Sequence, residues 1–341
     1  MGERWTSSMH GAPWTKGKMN KAIKQLGHRA LISFVIDIDK LKDLEELDKH
    51  VFAKRPDLVL SVRQIDMRGC YTEELLQIIA DLKHITALQL NLLHHIDLSM
   101  LGKLERLQFL SITSTMPVNI NFISNFRNLQ YLSLNGKFAD LTPIGDATEL
   151  HTLILSTTIH DVDFVLRLTQ LESLFIHDCT LKGSLAALAN STIKMLSLAG
   201  IRNLTNLDDI ASMQNLTYLR LSLSKVEALC DFSKMHNLRQ LELDNMKALK
   251  HIDHLWSAQL LEMLELRQIS TSIKAKDLEA LVEMEYLQQL DFRFIDFNKG
   301  RIAALRNWFN QAGKEHILYE NIAEDKRMKS MWLVHLQNHL G

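Results

Sequence analysis

Cysteine, proline and net charge are all scarce in this chain. Three cysteines in 341 residues are an odd number and too few for a disulfide framework, which fits a reducing compartment. A formal net charge of -1 supplies no basic field for phosphates, so no nucleic-acid partner is expected. No apolar run of signal-peptide length opens the chain, and none approaches the roughly 20 residues of a spanning helix. A cytoplasmic protein without membrane association is the expectation. Nor is there a GxGxxG, a phosphate-loop GKT or GKS, or a GxSxG elbow, so nothing builds a phosphate cradle or an activated nucleophile. The chain therefore reads as no enzyme and as carrying no cofactor.

Metal chemistry is equally thin. His251 and His254 are three apart, and His335 and His339 four apart, but a zinc-protease motif needs Glu where Leu336 stands. Fifteen histidines produce such pairs by accident. Cys70 and Cys179 are expected as buried, inert thiols, and Cys230 has no basic neighbour in sequence to depress its pKa.

What the chain does have is leucine in register. The pattern apolar-x-x-apolar-x-apolar starts at Val62, Ile85, Leu107, Leu129, Leu150, Leu171, Ile193, Leu216, Leu238, Leu261 and Leu287, a period of about 21 to 26 residues that marks a stack of repeats. Within each unit a stretch such as Tyr131-Leu132-Ser133-Leu134 alternates with period two, which predicts a short strand with its leucines inward. A lone repeat cannot bury that stripe; stacking neighbours does, so one elongated solenoid is expected in place of two ordinary domains. What remains of each unit returns the chain by short helical turns. Longer helices are expected after Thr72, through Glu73 to Leu82, and from Lys276 to Met284.

These residues resemble the leucine-rich repeat family, whose units begin LxxLxLxx. The segment Asp140-Leu141-Thr142-Pro143-Ile144 looks like the outer half of the 22-residue class found in bacterial internalins and cytosolic phosphatase-regulating repeat proteins. The resemblance implies an α/β leucine-rich repeat solenoid, with a curved parallel sheet of about eleven strands on the concave face, short helices and turns on the convex face, and terminal caps. Residues 1–57 read as an N-terminal flank and cap, 58–298 as the solenoid and 299–341 as a C-terminal helical cap. In the flanks, Leu31–Ile38 predicts a strand and Leu41–Phe52 a helix. Ile302–Phe309 predicts a helix, Ile317–Tyr319 a short strand, and Glu324–Leu340 an amphipathic helix. Residues 1–18 show no periodicity. The family's usual Asn or Cys ladder at the ninth position is absent.

If the leucines point inward, the residues between them form columns on the concave face. One column reads Gln64, Ala87, Phe109, Tyr131, Thr152, Ser173, Met195, Tyr218, Gln240, Met263, Gln289; the next reads Asp66, Gln89, Ser111, Ser133, Ile154, Phe175, Ser197, Arg220, Glu242, Glu265, Asp291. Phe109, Tyr131, Ile154, Phe175, Met195 and Tyr218 are expected to form an exposed apolar patch that binds a protein. Packing of these side chains on each other, or a covering cap, is the competing reading. Glu242, Glu265 and Asp291 stack like charges on consecutive strands, with Arg220, Arg239, Arg267 and Arg293 placed to compensate, and are expected to form an acidic subsite. The functional expectation is a monomeric, intracellular binder of another protein, of the inhibitor or immunity type. The alternative is the recognition arm of an enzyme whose effector module is the C-terminal segment.

Overall fold

The structure is a computed structural model and describes residues 6–11, 13–64, 70–296 and 299–340. It divides into two compact units, one formed by Met1–Thr158, Arg167–Leu171 and His335–Gly341, the other by Ile159–Leu166 and Glu172–Val334. In both, strands run parallel and pair in chain order.

The first unit contains β1 (Thr6–His10), β2 (Leu26–Val35), β3 (Val59–Arg63), β4 (Ala87–Leu92), β5 (Phe109–Val118), β6 (Tyr131–Phe138) and β7 (Thr152–Thr157). The register aligns Leu88, Leu110, Leu132 and Leu153 in one row and Leu90, Ile112, Leu134 and Leu155 in another. Every one of these side chains is fully buried. At roughly 2 kcal/mol for each leucine removed from water, the rows are the main source of stability. Gly136, at φ +114°, closes on the neighbouring strand: a Cβ there would sit 1.8 Å from the Ser114 carbonyl oxygen.

The start of the stack differs from the sequence reading. Leu60 and Val62, not Ile65 and Met67, stand level with Leu88 and Leu90, so the first repeat begins earlier than its spacing suggested. The residue in line with Ala87 is consequently Val59, not Gln64. Ile65, Asp66 and Met67 lie outside the described residues. Two more strands, β1 and β2, continue the ladder on the N-terminal side, which makes thirteen among the described residues where about eleven were expected. The tract without periodicity thus contributes β1, the buried Trp14 and helix α1 (Lys16–Gln25), capped by Thr15. Pairing along the edge of β2 through main-chain groups needs no apolar alternation in β1 itself. Arg55 fixes this end: its guanidinium donates to the carbonyls of Ile23, Leu26 and Gly27 and pairs with Asp57. The helix expected over Leu41–Phe52 is α2 (Leu41–Leu47) followed by one wider turn, Asp48–Phe52. The helix after Thr72 is α3 (Glu73–Ala80), with the Thr72 hydroxyl accepting from the Leu75 amide at 3.1 Å.

The second unit contains β8 (Ser173–His177), β9 (Met195–Ala199), β10 (Tyr218–Ser222), β11 (Gln240–Asp244), β12 (Met263–Arg267) and β13 (Gln289–Asp291), followed by α4 (Lys299–Gln311) and the start of α5 (Met331–Leu340). Leu174, Leu196, Leu219, Leu241, Leu264 and Leu290 form its buried row. Most return segments after α3 are 3-10 turns in both units, including the Ala275–Glu283 stretch expected as a longer helix. Many are opened by the same device: the carboxylate or amide of Asp97, Asn119, Asp140, Asp161 and Asp231 accepts a main-chain N–H two residues on, an Asx turn. Asparagines preceding a first leucine, Asn128, Asn215 and Asn237, donate to a carbonyl of the preceding repeat, and so supply part of the ladder missing at the ninth position.

At its C-terminal end the second unit is closed by α4, whose Leu305 and Phe309 are fully buried. Arg301, also buried, pairs with Asp296 at 2.8 Å and donates to the carbonyls of Ser270 and Ile273. In place of the strand expected at Ile317–Tyr319, Leu318 makes a single parallel bridge to Leu290 between two 3-10 turns. The helix expected over Glu324–Leu340 is confined to Met331–Leu340; Arg327 through Ser330 run without helix.

Candidate protein-binding face

Each strand turns its leucines to the core and the intervening residues to the opposite, open face of the sheet. The columns read from sequence are real from β4 onward: Ala87, Phe109, Tyr131 and Thr152 align in the first unit, and Ser173, Met195, Tyr218, Gln240, Met263 and Gln289 in the second. Exposure is where the expectation fails. Phe109 and Tyr131 are each 5 % exposed, and Phe175 and Tyr218 are 0 % exposed. Of the apolar patch, only Ile154 and Met195 are partly accessible.

In the first unit the side chains pack on each other. The rings of Phe109 and Tyr131 stack with centroids 4.3 Å apart and planes 8° from parallel, close to the offset stacking that aromatic quadrupoles favour. Val59 and Ala87 extend the cluster and Leu31 and Ile154 flank it, while the Arg29 guanidinium lies over the Phe109 ring at 5.6 Å. Burial raises the Tyr131 phenol to about 12. His335 Nε2, from the C-terminal residues that belong to this unit, is 3.1 Å from Thr152 Oγ1. The side chain of His339 lies outside the description. Gln64 sits beyond the end of β3, where its Oε1 accepts from the Leu93 amide.

In the second unit a returning strap of chain lies on the open face. Gln289 donates from Nε2 to the Met328 carbonyl at 3.1 Å and accepts from the Met328 amide at 2.8 Å. Gln240 repeats the arrangement, donating to the Lys329 carbonyl at 3.3 Å and accepting from the Met331 amide at 2.9 Å. Ser330 donates its hydroxyl to Glu242. The Trp332 ring then packs on Phe175, with centroids 4.2 Å apart, and edge-on against His177 at 5.9 Å. Main-chain groups of 328–331 that a helix would pair internally are thus paired by sheet glutamines, which accounts for the late start of α5. Beside the strap a cleft of about 180 Å³ stays open, lined in part by Arg220, Asp244, Glu265 and Arg267.

The acidic column is compensated from within. Arg220 pairs with Asp244 at 3.1 Å and approaches Glu242 at 3.7 Å; Arg293 holds Asp291 at 2.8 Å; Arg267 pairs with Glu265. Arg239 serves a different acid, Glu262, at 3.4 Å. Burial first, then the charges of Glu242 and Asp291, push the Glu265 carboxyl up, against the opposing pull of Arg267. His177, desolvated and near Arg220, is held down at about 4 and is neutral; its Nε2 lies 3.0 Å from Ser197 Oγ.

The thiols divide. Cys179 and Cys230 are buried, and burial pushes them up to about 11 and about 12, so neither is a nucleophile. Cys70, expected inside, is exposed, because the first repeat is displaced from its apparent register.

The roles on this face that the sequence reading passed over are those of Gln289 and Gln240, which grip the main chain of Met328, Lys329 and Met331, and of Ser330 and Trp332, which sit on Glu242 and Phe175. One signal was present: two glutamines in a column whose other members in this unit are mostly apolar or aromatic. The strap itself had none, since its helical periodicity continues through the part that is extended.

Repeated leucine rows, parallel ladder and short return turns define a leucine-rich repeat solenoid. No family model and no curated protein matches the chain. Among solved structures it is similar to an internalin (inlF) of Listeria monocytogenes, at 16% identity and TM-score 0.45 over 79% of this chain and 87% of that one. It is similar too to a leucine-rich repeat protein of Leptospira interrogans, at 15% identity and TM-score 0.44 over 86% and 85%. A plant peptide hormone receptor, RGFR1 in complex with RGF2, matches at 15% identity and TM-score 0.42 over 77% of this chain and 50% of that one. Among the described residues no helix is long and apolar enough to cross a membrane.

Proposed function

We propose that the protein is a cytoplasmic binding module without catalysis of its own, and that it recognises another protein through the open face of its sheet. The observation that carries this reading is the strap: the face of the second unit holds a length of polypeptide by four main-chain hydrogen bonds from two glutamines. Accessible or half-accessible groups there, Met195, Arg220 and Glu265, with Asp291 beside them and Glu242, Phe175 and Tyr218 beneath the strap, form the binding surface. In the first unit Phe109 and Tyr131 serve packing, and Ile154 is the accessible member. The finer reading is an inhibitor or immunity-type role, in which this face covers the active surface of its partner. The enzyme-arm alternative is disfavoured by the C-terminal segment, whose Leu305, Phe309, Ile317 and Leu318 are buried in the second unit as an end cap would be.

The test is affinity capture from native-source lysate with the whole chain, followed by hydrogen-exchange footprinting of the purified complex. Protection across β8–β13 supports the reading. Protection confined to the 3-10 return turns moves the site off the sheet, and absence of any stoichiometric partner retires the binding role.

A further inference from the structure

We propose that the open face of the second unit is a groove for a peptide that runs extended into the first turn of a helix, and that the strap of residues 328–332 occupies it as a built-in stand-in for a partner segment carrying a small hydroxyl residue with an aromatic residue two positions later. The inference deepens the binding role and rests on it.

The grips state the chemistry. Gln240 and Gln289 each offer a carboxamide oxygen and an N–H pair, and each uses both on main-chain atoms of the strap. A side-chain amide used in this way binds main-chain groups that have no partner in their own segment, here those of extended residues 328 and 329 and the first free amide of a helix, and ignores side-chain identity. Sequence preference comes from the two contacts that do read side chains. Glu242 accepts a hydrogen bond from the Ser330 hydroxyl, and the wall of Phe175 and His177 takes the Trp332 ring, tilted against Phe175 and perpendicular to His177. An aromatic anchor in a desolvated pocket is the residue type that dominates peptide affinity. The charged groups around the groove, Arg220 with Asp244 and Glu242, Arg267 with Glu265 and Arg293 with Asp291, are matched among themselves, so the groove does not demand a strongly charged segment.

The strap is also placed to leave. The sheet residues beneath it are almost wholly buried, Gln289 at 1 % and Gln240 at 4 %, but the strap continues into Leu333 and Val334, which are 55 % and 38 % exposed. Apolar side chains left in water mark a segment that is not committed to this seat by its own burial. The cleft beside Trp332, reaching Glu265 and Arg267, gives a competing chain a place to enter. A ligand that needs an emptied groove binds with an apparent affinity reduced by the fraction of time the groove is empty, so the strap acts as a threshold on partner binding.

The experiment uses the full chain and a fluorescein-labelled peptide of residues 327–334. Three proteins of verified fold are titrated by anisotropy: wild type, Trp332→Ala, and Ser330→Ala/Trp332→Ala. The strap-weakened proteins should bind the peptide at least about tenfold more tightly than wild type. Adding Gln240→Ala and Gln289→Ala to the Trp332→Ala protein, or replacing the peptide's tryptophan by alanine, should abolish that binding. No saturable binding to either strap-weakened protein, equal binding to wild type, or binding indifferent to both glutamines overturns the proposal. A concentration-dependent dimer of the strap-weakened proteins that excludes the peptide would make the occupant a second copy and likewise overturns it. Failure here alongside a captured partner that protects β8–β13 would sink only the peptide groove, whereas failure of both would sink the binding role itself.

Discussion

The two units carry the same leucine rows and put opposite things on their open faces. In the first, the column before the second leucine runs through Val59, Ala87, Phe109 and Tyr131, and the face is closed in large part by its own side chains. In the second, the corresponding column mixes polar with apolar and aromatic residues, Ser173, Met195, Tyr218, Gln240, Met263, Gln289, and a returning strap lies on it. A side chain that satisfies its neighbour across the ladder is a structural member. A glutamine with spare donors and acceptors is a fastening. The difference teaches that burial on a repeat's open face has two sources, and that only the second can be undone without unfolding the stack.

The sharpest way to break the comparison is to truncate one aromatic on each face. Phe109→Ala removes half of a stacked, buried pair and should cost about 3–5 kcal/mol, as large-to-small changes in a core do. Hydrogen exchange should speed up across β4–β6, and a loss under about 1 kcal/mol by chemical denaturation would show that the first face is not a core. Acid should act on the second face. His177 is neutral down to about 4 in the native state against an ordinary value of 6.5; between those values the unfolded chain binds a proton that the native chain refuses. Stability is therefore full above 6.5, falls as the pH drops towards 4, and levels off below it, by about 3 kcal/mol at most. Arg220 opposes the proton, Asp178 favours it, and Trp332 covers the ring. His177→Gln should flatten that part of the profile, and an unchanged profile would remove His177 from the account.

How far the sequence reaches follows the same division. The leucine rows and the columns from β4 onward were legible because every strand obeys one alternation and the period is nearly constant. The first repeat was misplaced because Val62 can serve either as the opening anchor or as the inner leucine equivalent, and only pairing with Leu90 decides. Strand β1 was invisible, since its main-chain bonds leave no mark on side-chain pattern. The columns gave the right neighbours for Phe109, Tyr131 and Tyr218 but not their exposure, which depends on what lies over them. That covering was hidden in residues 328–332, where helical spacing persists although glutamine side chains of distant strands take main-chain groups of Met328, Lys329 and Met331.

Smaller effects sharpen the fastening. Trp332→Ala should leave the leucine rows intact and cost about 1 kcal/mol, within the usual range for a half-buried position. Its mark should be local: faster exchange at the Met331 amide and greater exposure of Phe175 and Tyr218, with β4–β6 unaffected. A loss as large as that of Phe109→Ala would make the strap a core element, not a latch.

The smallest expected change has an unusual sign. The Glu265 carboxyl is raised above its ordinary value chiefly by burial, with Glu242 and Asp291 adding to it. The native state therefore holds a proton more tightly than the unfolded chain, and this position favours folding most when protonated, losing that contribution as the pH rises through the native value. At neutral pH Glu265 is a cost that Arg267, with a side chain 47 % exposed, offsets only weakly. Glu265→Gln should thus stabilise by a few tenths of a kcal/mol at pH 7, and the gain should shrink as the pH approaches 4.5, the ordinary value at which glutamate takes up its proton. Glu242→Gln should go the other way, because Glu242 accepts the Ser330 hydroxyl, and a hydrogen bond to a carboxylate is roughly twice as strong as one to a neutral amide. If both substitutions shift the denaturation midpoint in the same direction, the acidic column acts as one electrostatic block, and the assignment of Glu242 to the strap and Glu265 to the open cleft fails.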